Sequence, residues 1–161
     1  MGKVTLRPAA ESDRLLIKNI FNLYQNDLSA YTSHFTVLDS EGYFCADASD
    51  DVLPFGDGIY PYIIEENAAP VGFILVTDGR NALEGCDFCF QELYLVRPAR
   101  GRGIAKAAAE ALLRPGRWCL SAYAANLPAR KFWEKLIAAH SGGFQTSPGE
   151  DGMVDYWFTI N

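Results

Sequence analysis

Between Glu92 and Lys106 an apolar, strand-like run ends at Val96 and gives way to Arg100-Gly101-Arg102-Gly103-Ile104-Ala105, followed by a tract of helix formers. A strand handing over to a helix in this way points several unpaired backbone N–H groups, and the positive end of a helix dipole, at whatever sits above the junction. A phosphate or pyrophosphate is the natural occupant. The two glycines let the backbone approach a ligand without Cβ obstruction. Arg100 and Arg102 add positive charge and forked donors suited to phosphate oxygens.

Two familiar phosphate cradles do not fit. A P-loop needs Lys followed by Ser or Thr after its glycines, and no such pair follows Gly103. A dinucleotide fingerprint places Gly-X-Gly-X-X-Gly at the first strand–helix turn. Here Lys106 stands where the third glycine belongs, and a strand, a helix and a hairpin precede the junction. A plain helix start carrying two surface arginines is the remaining reading of this pattern alone.

A chain of 161 residues suits one domain with a real core. No apolar run reaches the length that spans a bilayer. Met-Gly-Lys-Val-Thr-Leu-Arg at the start has no signal-peptide core, and Gly2 lacks the Ser or Thr spacing that myristoylation requires. A soluble cytoplasmic protein is the expectation. Cys86 and Cys89 have ligand-like spacing, but Cys45 and Cys119 stand apart from them, so no tetrahedral metal site is expected. In a strand over 86–96 those two thiols face opposite ways and read as buried and inert. His34 and His140 have no motif around them.

Net charge is −6, yet nine of the fourteen Lys and Arg residues lie between positions 97 and 135, against only Glu110 and Glu134. That segment carries +7 and the rest −13. A nucleic-acid binder is usually basic overall, so this balance argues against one. It suits a phosphate-bearing cofactor held by one half and a neutral or cationic acceptor met by the other, or simply a solvated acidic surface.

Along the chain, Val4 to Arg7 alternates as a short edge strand. Ser12 or Asp13 caps a helix whose apolar face runs through Leu16, Ile20, Leu23 and Tyr24. Asn26 to Phe44 reads as a second, shorter helix and a loop. Asp47 to Gly58 is an acidic loop without the calcium-binding register. A hairpin joins Tyr60–Glu65 to Val71–Thr77 across Glu66 to Pro70, and its second arm, apolar on both faces, reads as a central strand. The strand Phe88 to Val96, a helix over 103–113, a strand around Trp118 to Ala122 and a helix capped by Asn126 follow. In that helix Ala129, Phe132, Trp133, Leu136 and Ile137 share a face. Phe144 and Val154 to Ile160 close the sheet.

Val96 to Ala105 resembles motif A of the GNAT superfamily of N-acetyltransferases, Arg/Gln-X-X-Gly-X-Gly/Ala, with Arg100, Gly103 and Ala105 in its fixed places. Asn126-Leu127-Pro128-Ala129-Arg130-Lys131-Phe132-Trp133 resembles motif B, Asn-X-X-Ala-X-X-Phe/Leu-Tyr, except at its last position. The resemblance covers about residues 88 to 137. It implies an α/β (α+β) fold over 1–161 as a single domain: a mixed, mostly antiparallel β-sheet, splayed between two central strands and flanked by helices on both faces.

The resemblance further implies an N-acetyltransferase that uses acetyl-CoA as co-substrate and no metal. The acceptor would be a primary amine of a small molecule or peptide, cationic if the acidic half receives it, and the protein a monomer or homodimer without membrane partners. Carried over by motif, the amides of Arg100, Gly101, Arg102, Gly103, Ile104 and Ala105 hold the pyrophosphate, and backbone near Leu95 and Val96 holds the pantetheine and polarises the thioester. Asn126 contacts the amide arm or serves as a cap alone; Lys131 and Arg130 meet phosphates or solvent. Glu92 is the candidate base, or else a structural carboxylate. Trp133 occupies the place where the family usually has a Tyr acid, and an indole N–H donates a hydrogen bond without transferring its proton. Another phenol such as Tyr94 or Tyr123, or water, then protonates the thiolate, or the chain is a non-catalytic sensor of CoA or acyl-CoA.

Overall fold

The computed structural model describes residues 2–44 and 55–161. Seven strands form one sheet: β1 (Val4–Pro8), β2 (Ile59–Glu66), β3 (Ala69–Asp78), β4 (Phe88–Leu95), β5 (Gly116–Tyr123), β6 (Phe144–Pro148) and β7 (Met153–Ile160). Their order across the sheet is β1-β2-β3-β4-β5-β7-β6, antiparallel throughout except where β4 meets β5. α1 (Arg14–Leu28) lies on one face. α2 (Ile104–Glu110) and α3 (Leu127–His140) lie on the other. The mixed sheet flanked on both faces is the architecture that the resemblance implies.

β3 owes its central place to composition. Phe73 and Leu75 face Ile20 and Tyr94 on the α1 side, while Ile74 and Val76 join Phe90, Trp118 and Leu136 on the other. The β2–β3 turn is tighter than the five residues expected. Asn67 and Ala68 alone make it, at φ 52° and 64°, the left-handed pair whose twist matches a hairpin.

Three expectations are corrected. No second helix forms within the described part of 26–44. Asp39 accepts N–H bonds from Glu41 and Tyr43, and Asn22 clamps Gly42 and Phe44, so side chains supply partners that a helix would otherwise provide. On α1 the inward stripe uses Ile17 and Ile20, and Leu23 is exposed. Cys86 precedes β4 in a turn, its N–H donating to the Leu83 carbonyl, so it swings back beside Cys89 and Cys119 instead of facing away. Cys89 and Cys119 sit directly opposite each other on β4 and β5, so Cys119 is not isolated. Burial pushes the Cys86 thiol up to about 12. Cys45, Asp47, Asp50 and Asp51 lie outside the described residues; Asp57 pairs with Arg80. Among the described residues, no helix is long and apolar enough to cross a membrane.

Candidate active site

β4 and β5 are paired only at Phe88–Trp118, Cys89–Cys119 and Phe90–Leu120. Just past that point β4 bulges. Phe90 faces Val76 and Glu92 faces Leu75, so Gln91 is the extra residue without a partner on β3. A bulge bends its strand and increases the local twist. Here it coincides with the place where β4 leaves β5, and the sheet opens into a wedge. Two cavities occupy it, of about 630 and 420 Å³. Tyr24, Leu28, Leu93, Asn126, Ala129 and Trp133 line both.

The bulge also decides which groups face the wedge. The Val96 N–H donates to the Val71 carbonyl at 2.9 Å, which places Val96, Tyr94 and Glu92 at the bonded positions of the β3–β4 ladder. Antiparallel alternation then turns the N–H groups of Leu93 and Leu95 away from β3, toward the opening. Val96 was expected to offer backbone to a ligand, and its N–H is committed within the sheet. The Leu95 carbonyl is engaged too, by Arg100 Nε at 2.8 Å. The free groups are the Leu95 and Leu93 amides.

The larger cavity reaches the glycine turn, where Gly101 and Gly103 take φ of 73° and 80°. In that left-handed region glycine carries no steric cost. Among the described residues, the N–H groups of Gly101, Arg102, Gly103, Ile104 and Ala105 find no acceptor. The guanidiniums behave otherwise. Arg100 is paired with Asp27, as is Arg97 at 2.9 Å, and Arg102 is paired with Glu66. Burial raises the Asp27 carboxyl, but the two guanidiniums outweigh it and hold the group below the usual carboxylate range. The forked donors expected for a phosphate are therefore held by carboxylates, and the cradle is made of backbone. Arg102, Val96 and Lys131 do not line the cavity; Lys106 and Lys135 do.

Glu92 and Tyr94 lie on the α1 face of the sheet, opposite Leu75 and Phe73. Glu92 lines the smaller cavity. Burial pushes its carboxyl up to about 7, partly offset by the Tyr24 hydroxyl beside it. Tyr24 itself is held well above the usual phenol range, first by burial and then by the charge of Glu92. Its ring packs 5.4 Å from that of Tyr94. Nothing in the sequence marked Tyr24 as more than a core position of α1. Tyr123 lines the smaller cavity, and burial raises its phenol.

Trp133 is 7% exposed, with its ring 5.1 Å from Phe90 and 4.9 Å from Phe132. Its indole N–H has no acceptor among the described residues, whereas that of Trp118 bonds the Arg114 carbonyl at 2.9 Å. Asn126 accepts from the Ala129 N–H at 3.2 Å, so capping uses its carbonyl and leaves its amide NH₂ on the cleft wall. Among the described residues, no group of three or more His, Cys, Asp or Glu side chains is placed to hold a metal ion.

A splayed sheet with an amide cradle at one end of the opening and a buried carboxyl toward the other is a site suited to hold a phosphate-bearing donor beside an acid–base group. Residues 18–137, well over half of the chain, match the model of the acetyltransferase (GNAT) family, and the chain belongs to that family. Solved structures agree on the fold. An acetyltransferase from Thermus thermophilus is 18% identical with a TM-score of 0.69, each chain covered in full. An aminoglycoside acetyltransferase in complex with coenzyme A is 18% identical with a TM-score of 0.68, over 99% of this chain and 95% of that one. Diaminobutyrate acetyltransferase from Paenibacillus lautus, in complex with its substrate and coenzyme A, is 14% identical with a TM-score of 0.66, over 99% and 96%. No curated protein matches the sequence.

Proposed function

We propose that this acyltransferase moves an acetyl group from acetyl-CoA to a neutral primary amine by direct attack, with residues 1–161 acting as one catalytic domain. The observation that carries the reading is Glu92, a carboxyl near neutrality, set in the same wedge as the outward-turned amides of Leu93 and Leu95. Amine acceptors are also what the solved relatives bind or are named for: diaminobutyrate in one, aminoglycosides in another.

Acetyl-CoA supplies an acetyl group activated as a thioester. The chain's own groups fit such a donor. Five amides from Gly101 to Ala105, without acceptors among the described residues, suit a diphosphate, with Lys106 and Lys135 adding charge around it. Leu95, Ile104, Phe132 and Leu136 give the larger cavity an apolar wall for a slender arm. The Leu95 N–H, backed by Leu93, donates to the acyl oxygen as negative charge develops there, a role worth about 3 to 4 kcal/mol per donor.

An alkyl ammonium has a pKa near about 10 and must lose its proton before attack. Glu92 takes it, because a carboxyl near 7 is about half ionised at neutral pH and still basic enough to accept. Trp133 donates a hydrogen bond on the leaving-group side but no proton. A thiolate whose conjugate acid has a pKa near about 8.5 departs without an acid. The cavity beside Glu92 favours this catalytic reading over a sensor that only binds the donor.

Coenzyme A should raise the melting temperature of the wild-type protein, and Gly103→Val should abolish that rise while leaving the far-UV circular dichroism unchanged. A β-branched residue at φ 80° costs on the order of 1 to 2 kcal/mol and fills the cradle. An undiminished rise in the variant would remove the cradle from the site.

A further inference from the structure

We infer that the acceptor is a small primary amine with an apolar, ring-sized body and a single positive charge, and not a polyamine or an aminosugar. This rests on the acyl-transfer reading and adds the substrate class. The cavity that holds Glu92 has a volume of about 420 Å³, at the small end of ligand sites. Phe21, Tyr24, Phe35, Phe90, Tyr123 and Trp133 form much of its wall. Among the described residues that line it, Glu92 is the only one with a formal charge.

Several polar side chains of that wall are committed in part to the protein, while the Asn126 NH₂ stays on it. Asn81 Nδ2 donates to the Asp57 carbonyl at 3.1 Å. Ser121 Oγ donates to Asp155 at 2.5 Å. Gln91 Oε1 accepts from the Cys89 thiol at 3.7 Å, and Asn126 Oδ1 caps α3. Among the described lining residues, a polyamine finds no carboxylate for a second ammonium, and a sugar ring finds few partners for its hydroxyls beyond the Asn126 NH₂. Both are disfavoured because stripped polar and charged groups need replacements for water.

One ammonium fares differently. Glu92 faces it, and the surrounding ring faces attract cations. An apolar body then replaces cavity water and covers aromatic surface, the contribution that the wall is built to reward. The ring of Phe35, 6.3 Å from that of Phe44, is only partly buried, so it is a wall position that tolerates change.

The test is a comparison of kcat/KM for 2-phenylethylamine and tryptamine against spermidine, kanamycin and a lysine peptide, by thiol release at saturating acetyl-CoA. The aromatic monoamines are expected to lead by at least about a hundredfold. Phe35→Asp, which adds a second carboxylate to the wall, is expected to lower that ratio tenfold or more, with melting checked to confirm folding. Without donor, 2-phenylethylamine is expected to change the intrinsic tryptophan fluorescence in a saturable way that Trp133→Phe removes, and spermidine is not. Equal or greater turnover of the polycations or the peptide overturns the substrate class, as does silence of every amine when acetyl-CoA still stabilises the protein. The acyl-transfer reading itself falls only if acetyl-CoA gives no stabilisation and no amine releases thiol.

Discussion

At the scale of single residues, Glu92 links function to stability. Its carboxyl ionises near 4.5 when exposed and near 7 in the folded chain, because burial disfavours the charge. Between those values the folded state holds more protons than the unfolded one, so this group's contribution is complete below pH 4.5 and is lost as pH rises through 7. Glu92→Gln should therefore melt higher than wild type at pH 8, by up to about 3 kcal/mol, and near wild type at pH 4.5. Denaturant melts at the two pH values check this; an equal difference at both would mean that Glu92 is not held protonated. Trp133 yields a second expectation. If the indole only hydrogen-bonds and packs on Phe90, Trp133→Phe keeps kcat within about tenfold of wild type. A loss of a thousandfold or more would assign the indole a role that its chemistry does not provide.

At the scale of elements, the decisive one is β4 with its bulge at Gln91. The extra residue lets Phe90 pack against Trp118 on one face while Glu92 and Tyr94 point to α1 on the other. Deleting Gln91 restores a period of two, forcing either Phe90 or Glu92 onto the wrong face. The deletion variant should lose its cooperative thermal transition; a sharp transition with coenzyme A binding intact would show that the wedge does not need the bulge. The splay was implied only by the family resemblance, and no local signal marked the bulge at Gln91, because both depend on which strand lies opposite. The elements around them were legible in the sequence itself. The apolar run of β3, the glycines before α2 and the Asn126 cap are local signals with local causes. The second helix expected after Asn26 failed because Asn22 and Asp39 offer the backbone competing partners. Asp27 and Tyr24 reach the wedge from a helix about seventy residues away in the chain, a contact that only the packing of α1 creates.

At the scale of the whole molecule, the division of charge read from the sequence takes on a physical form. The basic half supplies the cradle and its rim, but Arg97, Arg100 and Arg102 are neutralised by Asp27 and Glu66, which belong to the acidic half. What remains around the glycine turn is a set of amides, with Lys106 and Lys135 on the same cavity wall. The sequence motifs located this cradle; the commitment of Val96 and the exposure of the Leu95 and Leu93 amides required the ladder. Under the proposed reaction, the donor site and acceptor cavity meet at Tyr24, Asn126 and Trp133, which line both cavities, with Glu92 on the acceptor side. Acyl transfer across that meeting point, with Glu92 as base, is tested most directly by the pH dependence of kcat/KM in wild type and Glu92→Gln, assayed by thiol release with an accepted amine. Wild type should show a limb rising through about pH 7, and the variant should lose at least about a hundredfold in rate together with that limb. Full turnover in Glu92→Gln with the limb unchanged would contradict the assignment.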